Sequence, residues 1–415
     1  MQGLVQYFFL CFLLLTMPAL YAQQTITVSA ASEVKTITAA LDKAGERDTI
    51  LVKAGVYREG HIIVKKTVYL KGEGWPEIDA QGKDEGITIM ANGVIMEGFR
   101  VVHSNNGSLK DYAGIRVHKS NQVQIINNRL ERNFFGIYLA ETDSCTVRNN
   151  QVSSANKATQ SGNGIHVWKS YHATITDNHI NGHRDGIYFE FVRQSRIINN
   201  VSEGNIRYGL HFMFSDDDVY ERNIFRKNGS GVAVMYTKRI QMLHNEFDDN
   251  WGSAAYGLLL KDITDSHISG NRFRKNTVAI YLEGSSRIDI SKNTFVSNGW
   301  AVRLLANCEQ NTFSRNNFIS NTFDVTTNGT LNLNLFEHNY WDKYEGYDLN
   351  KDQVGDVPYR PMSLYSQVVE KVPAAVILLR SFMVNLLDRA EKSIPSLTPE
   401  SVKDETPVMK KYNYD

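Results

Sequence analysis

Two neighbouring lines of this sequence, Tyr208-Gly-Leu-His-Phe-Met213 and Ser230-Gly-Val-Ala-Val-Met235, bring His211, Met213 and Met235 to equivalent or adjacent places. Two thioethers with one imidazole suit Cu(I), because polarizable sulfur donors select a soft cation. The same positions one and two lines earlier hold Tyr188 and Glu190, then His166 and Trp168. Met, Trp and Tyr on one face equally describe a protein-contact patch. The carboxylates of Asp216-Asp-Asp218 near Glu190 leave open a third chemistry, paired carboxylates acting on a polysaccharide. No evident catalytic lysine or arginine in a matching line completes that third reading, and adjacent aspartates also suit a turn.

What must position these side chains is a repeat. A Gly-apolar or Ala-apolar step recurs at Gly86, Gly114, Gly136, Gly164, Gly186, Gly209, Gly231, Gly257, Ala279 and Ala301, mostly 22 or 23 residues apart. A second anchor, an apolar residue followed three positions later by Asn, keeps the same period at Asn128, Asn150, Asn178, Asn200, Asn223, Asn245, Asn271, Asn293, Asn316 and Asn339. A period near 22 is too short for strands joined by crossover helices. It fits one coil of a right-handed parallel β-helix, an all-β solenoid, over residues 23–345.

Alternation along each line sends Ile187, Leu210, Val232 and Leu258 inward, with Phe189, Phe212, Val234 and Leu260 two residues on. His211, Met213 and Met235 then point outward. Equivalent residues of adjacent coils lie about 4.8 Å apart, and His211 and Met213 about 6.5 to 7 Å apart along their strand. The Asn column reads as an internal ladder at a corner. Longer coils carry their extra residues just before the Gly step, at Ser104 to Tyr112, Ser153 to Asn163 and Asp248 to Tyr256, so these inserts frame one side. Val34, Ile37, Ala40, Leu41 and Ala44 share a helical face that predicts an N-terminal cap on the open core.

Lysine plus arginine equals aspartate plus glutamate at 45 each, so no net field favours nucleic acid. Residues 1–22, with the apolar run Tyr7-Phe-Phe-Leu-Cys-Phe-Leu-Leu-Leu15, read as a secretory signal peptide ending near Ala22. Cys145 and Cys308 lie about seven coils and about 34 Å apart, beyond disulfide reach, and read as buried thiols.

Residues 346–415 form a C-terminal loop and helical extension. Asp348, Asn350, Asp352 and Asp356 have the spacing of a calcium loop, but Gln353 stands where such loops need Gly and Tyr359 where they use Glu. Asx-turns are the alternative. The run Val372 to Leu387 is broken by Arg380 and too short to span a bilayer. Its apolar residues Val376, Ile377, Leu378, Leu379, Phe382, Met383, Leu386 and Leu387 cover more circumference than a one-sided cap requires, which leaves a core cap and docking to a membrane partner as the two readings.

The strings Tyr208-Gly-Leu-His-Phe-Met-Phe-Ser215, Gly231-Val-Ala-Val-Met-Tyr236, Ala255-Tyr-Gly-Leu-Leu-Leu-Lys261, Asn339-Tyr-Trp-Asp342, Gly355-Asp-Val-Pro-Tyr-Arg-Pro361 and Leu397-Thr-Pro399 resemble the NosD family. The resemblance spans nearly the whole chain after the signal. It implies a periplasmic accessory protein for nitrous oxide reductase maturation, held at the inner membrane by an ABC-type permease and ATPase and working with a lipoprotein copper chaperone. It further implies help in building the reductase's copper-sulfur centre, with transient Cu(I) handling, rather than small-molecule catalysis. A polysaccharide-active β-helix enzyme and an adhesion module are the rival readings.

Overall fold

The computed structural model describes residues 23–106, 110–154, 162–329, 332–394, 398 and 400–414. The signal-peptide segment, parts of two inserts (107–109 and 155–161), Leu397 and Pro399 lie outside the described residues.

The chain coils into a right-handed parallel β-solenoid with three faces, sheets of 14, 12 and 13 strands in which neighbours belong to successive coils. One coil shows how the sequence writes each face. Tyr208–Met213 is a Gly-line strand of the 12-stranded sheet, Val219–Glu221 belongs to the 14-stranded sheet, and Ile224–Arg226 to the 13-stranded sheet. The corner between the last two is made by Arg222, at φ 53°, and Asn223. The residue before the ladder asparagine repeats that left-handed turn at Asn199 (φ 56°) and His244 (φ 54°). Register is exact in type, so Ile187, Leu210, Val232 and Leu258 pair in succession. All four are buried, as are Phe189, Phe212, Val234 and Leu260.

The glycine of each line answers to close approach rather than to φ. A Cβ on Gly186 would lie 2.7 Å from the carbonyl oxygen of Gly209, and one on Gly209 would lie 2.8 Å from that of Gly231. No side chain fits between coils there.

The asparagine column is the internal ladder that the period predicts. Asn200 Oδ1 accepts from Asn178 N and Nδ2, each at 3.0 Å, while Asn200 Nδ2 donates to Ile175 O at 2.9 Å and Asn223 Oδ1 at 3.0 Å. A second ladder, at Asn205, Asn228, Asn250, Asn276, Asn298 and Asn321, runs five residues further on in each coil. The sequence reading missed it, although Asn-x4-Asn recurs with the same period. Between the ladders the core is an aromatic stack, with Phe247, Phe273, Phe295, Phe318 and Trp341 at centroid spacings of 4.5, 5.0, 4.8 and 4.0 Å.

Both ends of the core are closed. Ile37–Lys43 is helical, N-capped by Thr36, and buries Ile37, Ala40 and Leu41 over the first coils. At the other end the C-terminal tail returns, and Asp404 Oδ2 accepts from Asn339 N (3.1 Å), Asn339 Nδ2 (3.0 Å) and Trp341 Nε1 (3.0 Å). A carboxylate thus ends the amide ladder. The core cap weighed for the run Val372 to Leu387 is supplied instead by this tail, with Tyr359 and Met362.

Asn200→Ala leaves the Asn178 backbone N–H without an acceptor inside the core, while Asn178 Nδ2 keeps Val147 O and Thr176 O. We expect a loss of about 3 kcal/mol in urea unfolding, against about 0.5 kcal/mol or less for the exposed Arg196→Ala on the same coil.

Candidate functional site

The Gly-line strands set the site by register. Tyr188 pairs with His211 and Glu190 with Met213; Met213 then pairs with Met235, and Met235 with Lys261. The two thioether side chains therefore stand on neighbouring rungs, in a half-buried column that begins with Trp168 and Glu190. Tyr188 OH lies 3.7 Å from Met213 Sδ.

One expectation is corrected. The residues that alternate outward were to form an open surface, yet His211 is only 5% exposed and His166 only 7%. In-register stacking is the cause, because equivalent rings of successive coils cover one another. His166 lies 4.5 Å from the Tyr138 ring and 4.8 Å from Tyr188, and His211 lies 4.9 Å from both Tyr188 and Tyr208.

Beneath this stack is a buried ion pair that the sequence reading did not find. Asp185 is fully buried, and Arg207 Nε donates to its Oδ1 at 2.8 Å. Burial alone would raise the Asp185 carboxyl, but its contacts with Arg207 and His211 outweigh that and hold it below its ordinary value. His211 Nδ1 faces this pair, 3.7 Å from Asp185 Oδ2 and 3.3 Å from Arg207 Nη2. Its Nε2 is buried with no hydrogen-bond partner among the described residues. That nitrogen is a donor atom without a use inside the fold. His166 Nε2 is likewise buried without a hydrogen-bond partner among the described residues, and burial first, then Arg184 and Arg116, push the His166 imidazole down to about 3. It stays neutral at physiological pH.

Among the described residues no group of three or more His, Cys, Asp and Glu is arranged to hold a metal. Cys145 and Cys308 are free and buried, with burial raising both thiols.

The aspartate triplet is spent on structure. Asp218 is sealed in the wall, where burial pushes its carboxyl well up and Oδ1 accepts from Ser195 N at 2.8 Å. Asp217 pairs with Arg239 at 2.5 Å, and Asp216 accepts from Lys238 N at 3.1 Å. In the 348–356 loop the acids turn onto the loop's own backbone. Asp348 accepts from Lys351, Asp352 and Gln353 N–H groups, Asn350 from Asp352, Asp352 from Val354, and Asp356 from Leu349. These are Asx-turns.

The C-terminal run is two segments, a 3-10 helix Pro373–Leu378 and an α-helix Phe382–Ser393, broken at Arg380 with φ 67°. With helix Leu364–Lys371 they pack on the last Gly lines, where Tyr365, Val369 and Val384 join Phe323 and Trp300. Arg303 holds Glu370 at 2.7 Å. Ile377 (86%) and Phe382 (81%) stand exposed, as do Val376, Leu378, Leu379, Met383 and Leu386, while Leu387 is half-buried. No described helix is long and apolar enough to cross a membrane.

The chain is thus a parallel β-helix with histidines and methionines on one wall and an apolar helical appendage at its C-terminal end. The sequence model of the family described as periplasmic copper-binding protein (NosD) matches residues 48–159 and 153–353, and the chain belongs to that family. A relative from Stutzerimonas stutzeri, named as a probable ABC transporter binding protein NosD, is 27% identical over 86% of each chain. A protein of the same name from Pseudomonas aeruginosa is also 27% identical, covering 86% of this chain and 87% of its own. Among solved structures, the catalytic domain of a GH87 α-1,3-glucanase matches with a TM-score of 0.64 at 12% identity, over 75% of this chain and 67% of that one. At that identity it shares the fold alone.

Two outcomes follow for the buried charges. Arg207→Ala leaves Asp185 buried with only the more distant His211 (3.7 Å) and Arg184 (3.8 Å), and should cost about 3 kcal/mol in urea unfolding. Below pH 6.5 the unfolded chain protonates residue 166 while the folded chain does not, so stability falls with pH by up to about 1.4 kcal/mol per unit towards pH 3. His183, fully buried and pushed down to about 4 by burial, adds to the same slope, so His166→Phe should reduce the slope in thermal unfolding between pH 6.5 and 4 without abolishing it.

Proposed function

We propose that this chain is the docking subunit of an ABC-type complex in the periplasm that assists assembly of the copper-sulfur centre of nitrous oxide reductase, with Cu(I) as cargo rather than resident cofactor. The reading rests on one observation above others: Met213 and Met235 on adjacent rungs, with the unpartnered Nε2 of His211 on the same wall. The family description and the relatives' names, which speak of copper and of an ABC transporter, support it.

Two thioethers and one imidazole on a solenoid wall make an incomplete coordination shell. The cation is then held transiently, with the remaining ligands coming from the copper chaperone lipoprotein that delivers it. His211 is kept in orientation by Asp185 and Arg207 on its Nδ1 side, as second-sphere groups fix metal-binding imidazoles elsewhere. The chain itself catalyses no small-molecule reaction in this scheme. The apolar residues of Pro373–Leu378 and Phe382–Ser393 dock on the permease, since their exposure exceeds what packing against Phe323 uses.

Replacing Met213 and Met235 by Leu should lower stability by less than about 1.5 kcal/mol, the range for volume-conserving swaps, while reducing copper in the reductase. The thermal midpoint of the variant and the reductase's copper content are the readouts; normal copper loading rejects the site. Removing everything after Pro361 would also remove the Asp404 cap, so the docking test uses Ile377→Glu with Phe382→Glu. That variant should stay folded and lose co-purification with the permease; retained complex formation rejects the docking surface.

A further inference from the structure

We propose that the corner beside the Met213/Met235 column is a docking notch for a protein partner that inserts an aromatic side chain flanked by carboxylates. The proposal names the kind of partner that meets the copper wall, and so rests on the reading above.

Phe191, Phe214 and Tyr236 directly follow Glu190, Met213 and Met235 in sequence. They are 45%, 40% and 43% exposed, and stack in parallel at centroid distances of 5.2 Å, with interplanar angles of 10° and 13°. All three sit in the left-handed region, at φ 55°, 50° and 56°. The same corner carries Lys169 one coil earlier, and Asp262 and Gly284 one and two coils later. Bulky aromatics at positive φ carry a backbone penalty, and three of them exposed to water bring no core burial to offset it. Their confinement to the coils that carry Glu190, Met213 and Met235 ties the ladder to that wall.

The ladder stops at Phe191, because the next rung is Lys169, whose ammonium turns over the Trp168 ring at 4.3 Å. A cavity of about 320 Å³ opens at this end, lined by Lys169, Tyr171, Phe191, Arg193 and Phe214. That is the small end of the range for ligand pockets, about 300 to 1,000 Å³. Among the described residues Lys169 and Arg193 have no ion-pair partner, whereas the nearby cations Arg239, Lys261 and Arg287 are paired with Asp217, Glu283 and Asp265. The notch therefore offers an open end to an aromatic stack and two cations outside any direct ion pair, Lys169 over the Trp168 ring and Arg193 near Asp217, which Arg239 already holds. An aromatic residue entering as the next rung, with carboxylates beside it, satisfies both.

A sugar is the poorer occupant. Carbohydrates stack on ring faces, and the faces of the middle ring, Phe214, are taken by Phe191 and Tyr236. Between its two ends the ladder exposes only ring edge, which is protein-contact surface.

The test titrates the full mature chain calorimetrically with a short synthetic peptide of Asp and Glu around one Trp. Controls are the same peptide with amides for acids, the acidic peptide with Ala for Trp, and a mannuronate tetrasaccharide. We expect saturable binding of the acidic aromatic peptide, weakened about tenfold or more in each peptide control, in Lys169→Glu with Arg193→Glu, and in Phe191→Ser. Cu(I) uptake by the two notch variants alone should match that of the parent chain, and their thermal midpoints should be unchanged. Absence of saturable binding, binding indifferent to charge reversal, or tighter binding of the tetrasaccharide overturns the proposal. Normal Cu(I) uptake by the Met213→Leu/Met235→Leu variant would instead defeat the copper reading, while the peptide titration still decides the notch.

Discussion

Everything in this molecule depends on coils that repeat at the spacing of a parallel β-ladder, about 4.8 Å. At that spacing a buried corner amide meets its equivalent in the next coil, as Asn178, Asn200 and Asn223 do. Each asparagine satisfies backbone groups that a corner would otherwise bury unpaired. The constraint runs along the whole solenoid and reaches its limit where no further coil supplies an acceptor. There Asp404 takes over, spending a buried carboxylate on Asn339 and Trp341.

The same repeat shapes the functional wall. Side chains one coil apart are forced into contact whether they face the core or solvent, so an outward column of rings becomes a stack that excludes water. His166 and His211 are buried in this way, with Tyr188 half-buried between them, and His211 acquires a charged pair, Asp185 and Arg207, behind it. The thioethers of Met213 and Met235 sit on the column beside the stack, half-buried rather than free. Soft donors in a partly dehydrated wall with incomplete coordination are suited to exchange, because tight storage needs a closed ligand set.

The two ends of the Gly-line sheet's outer face serve different contacts. Its last lines are occupied by the helical extension, through Phe323, Tyr365, Val369 and Val384, and the extension turns its remaining apolar residues outward. The middle lines carry the histidine and methionine wall and the aromatic corner. The proposed copper-handling residues and the extension that carries the proposed docking residues thus sit on one continuous sheet, whose strands set the distance between them.

The sequence alone determined the solenoid, its period, the inward residues and the asparagine ladder, because each obeys a local rule repeated coil after coil and a repeated rule is legible without coordinates. The helical N-terminal cap and the adjacency of Met213 and Met235 were legible for the same reason. The second asparagine ladder and the Phe191, Phe214 and Tyr236 column carried the same period, but at positions where Asn and Phe had no evident partner until the coils were stacked. Tertiary structure alone decided the rest. The burial of His211 and His166 depends on rings from other coils, the Asp185 to Arg207 pair joins residues 22 positions apart, and the Asp404 cap joins residues 65 positions apart. Alternation along a strand tells which way a side chain points, and only the neighbouring coils tell whether water is still there.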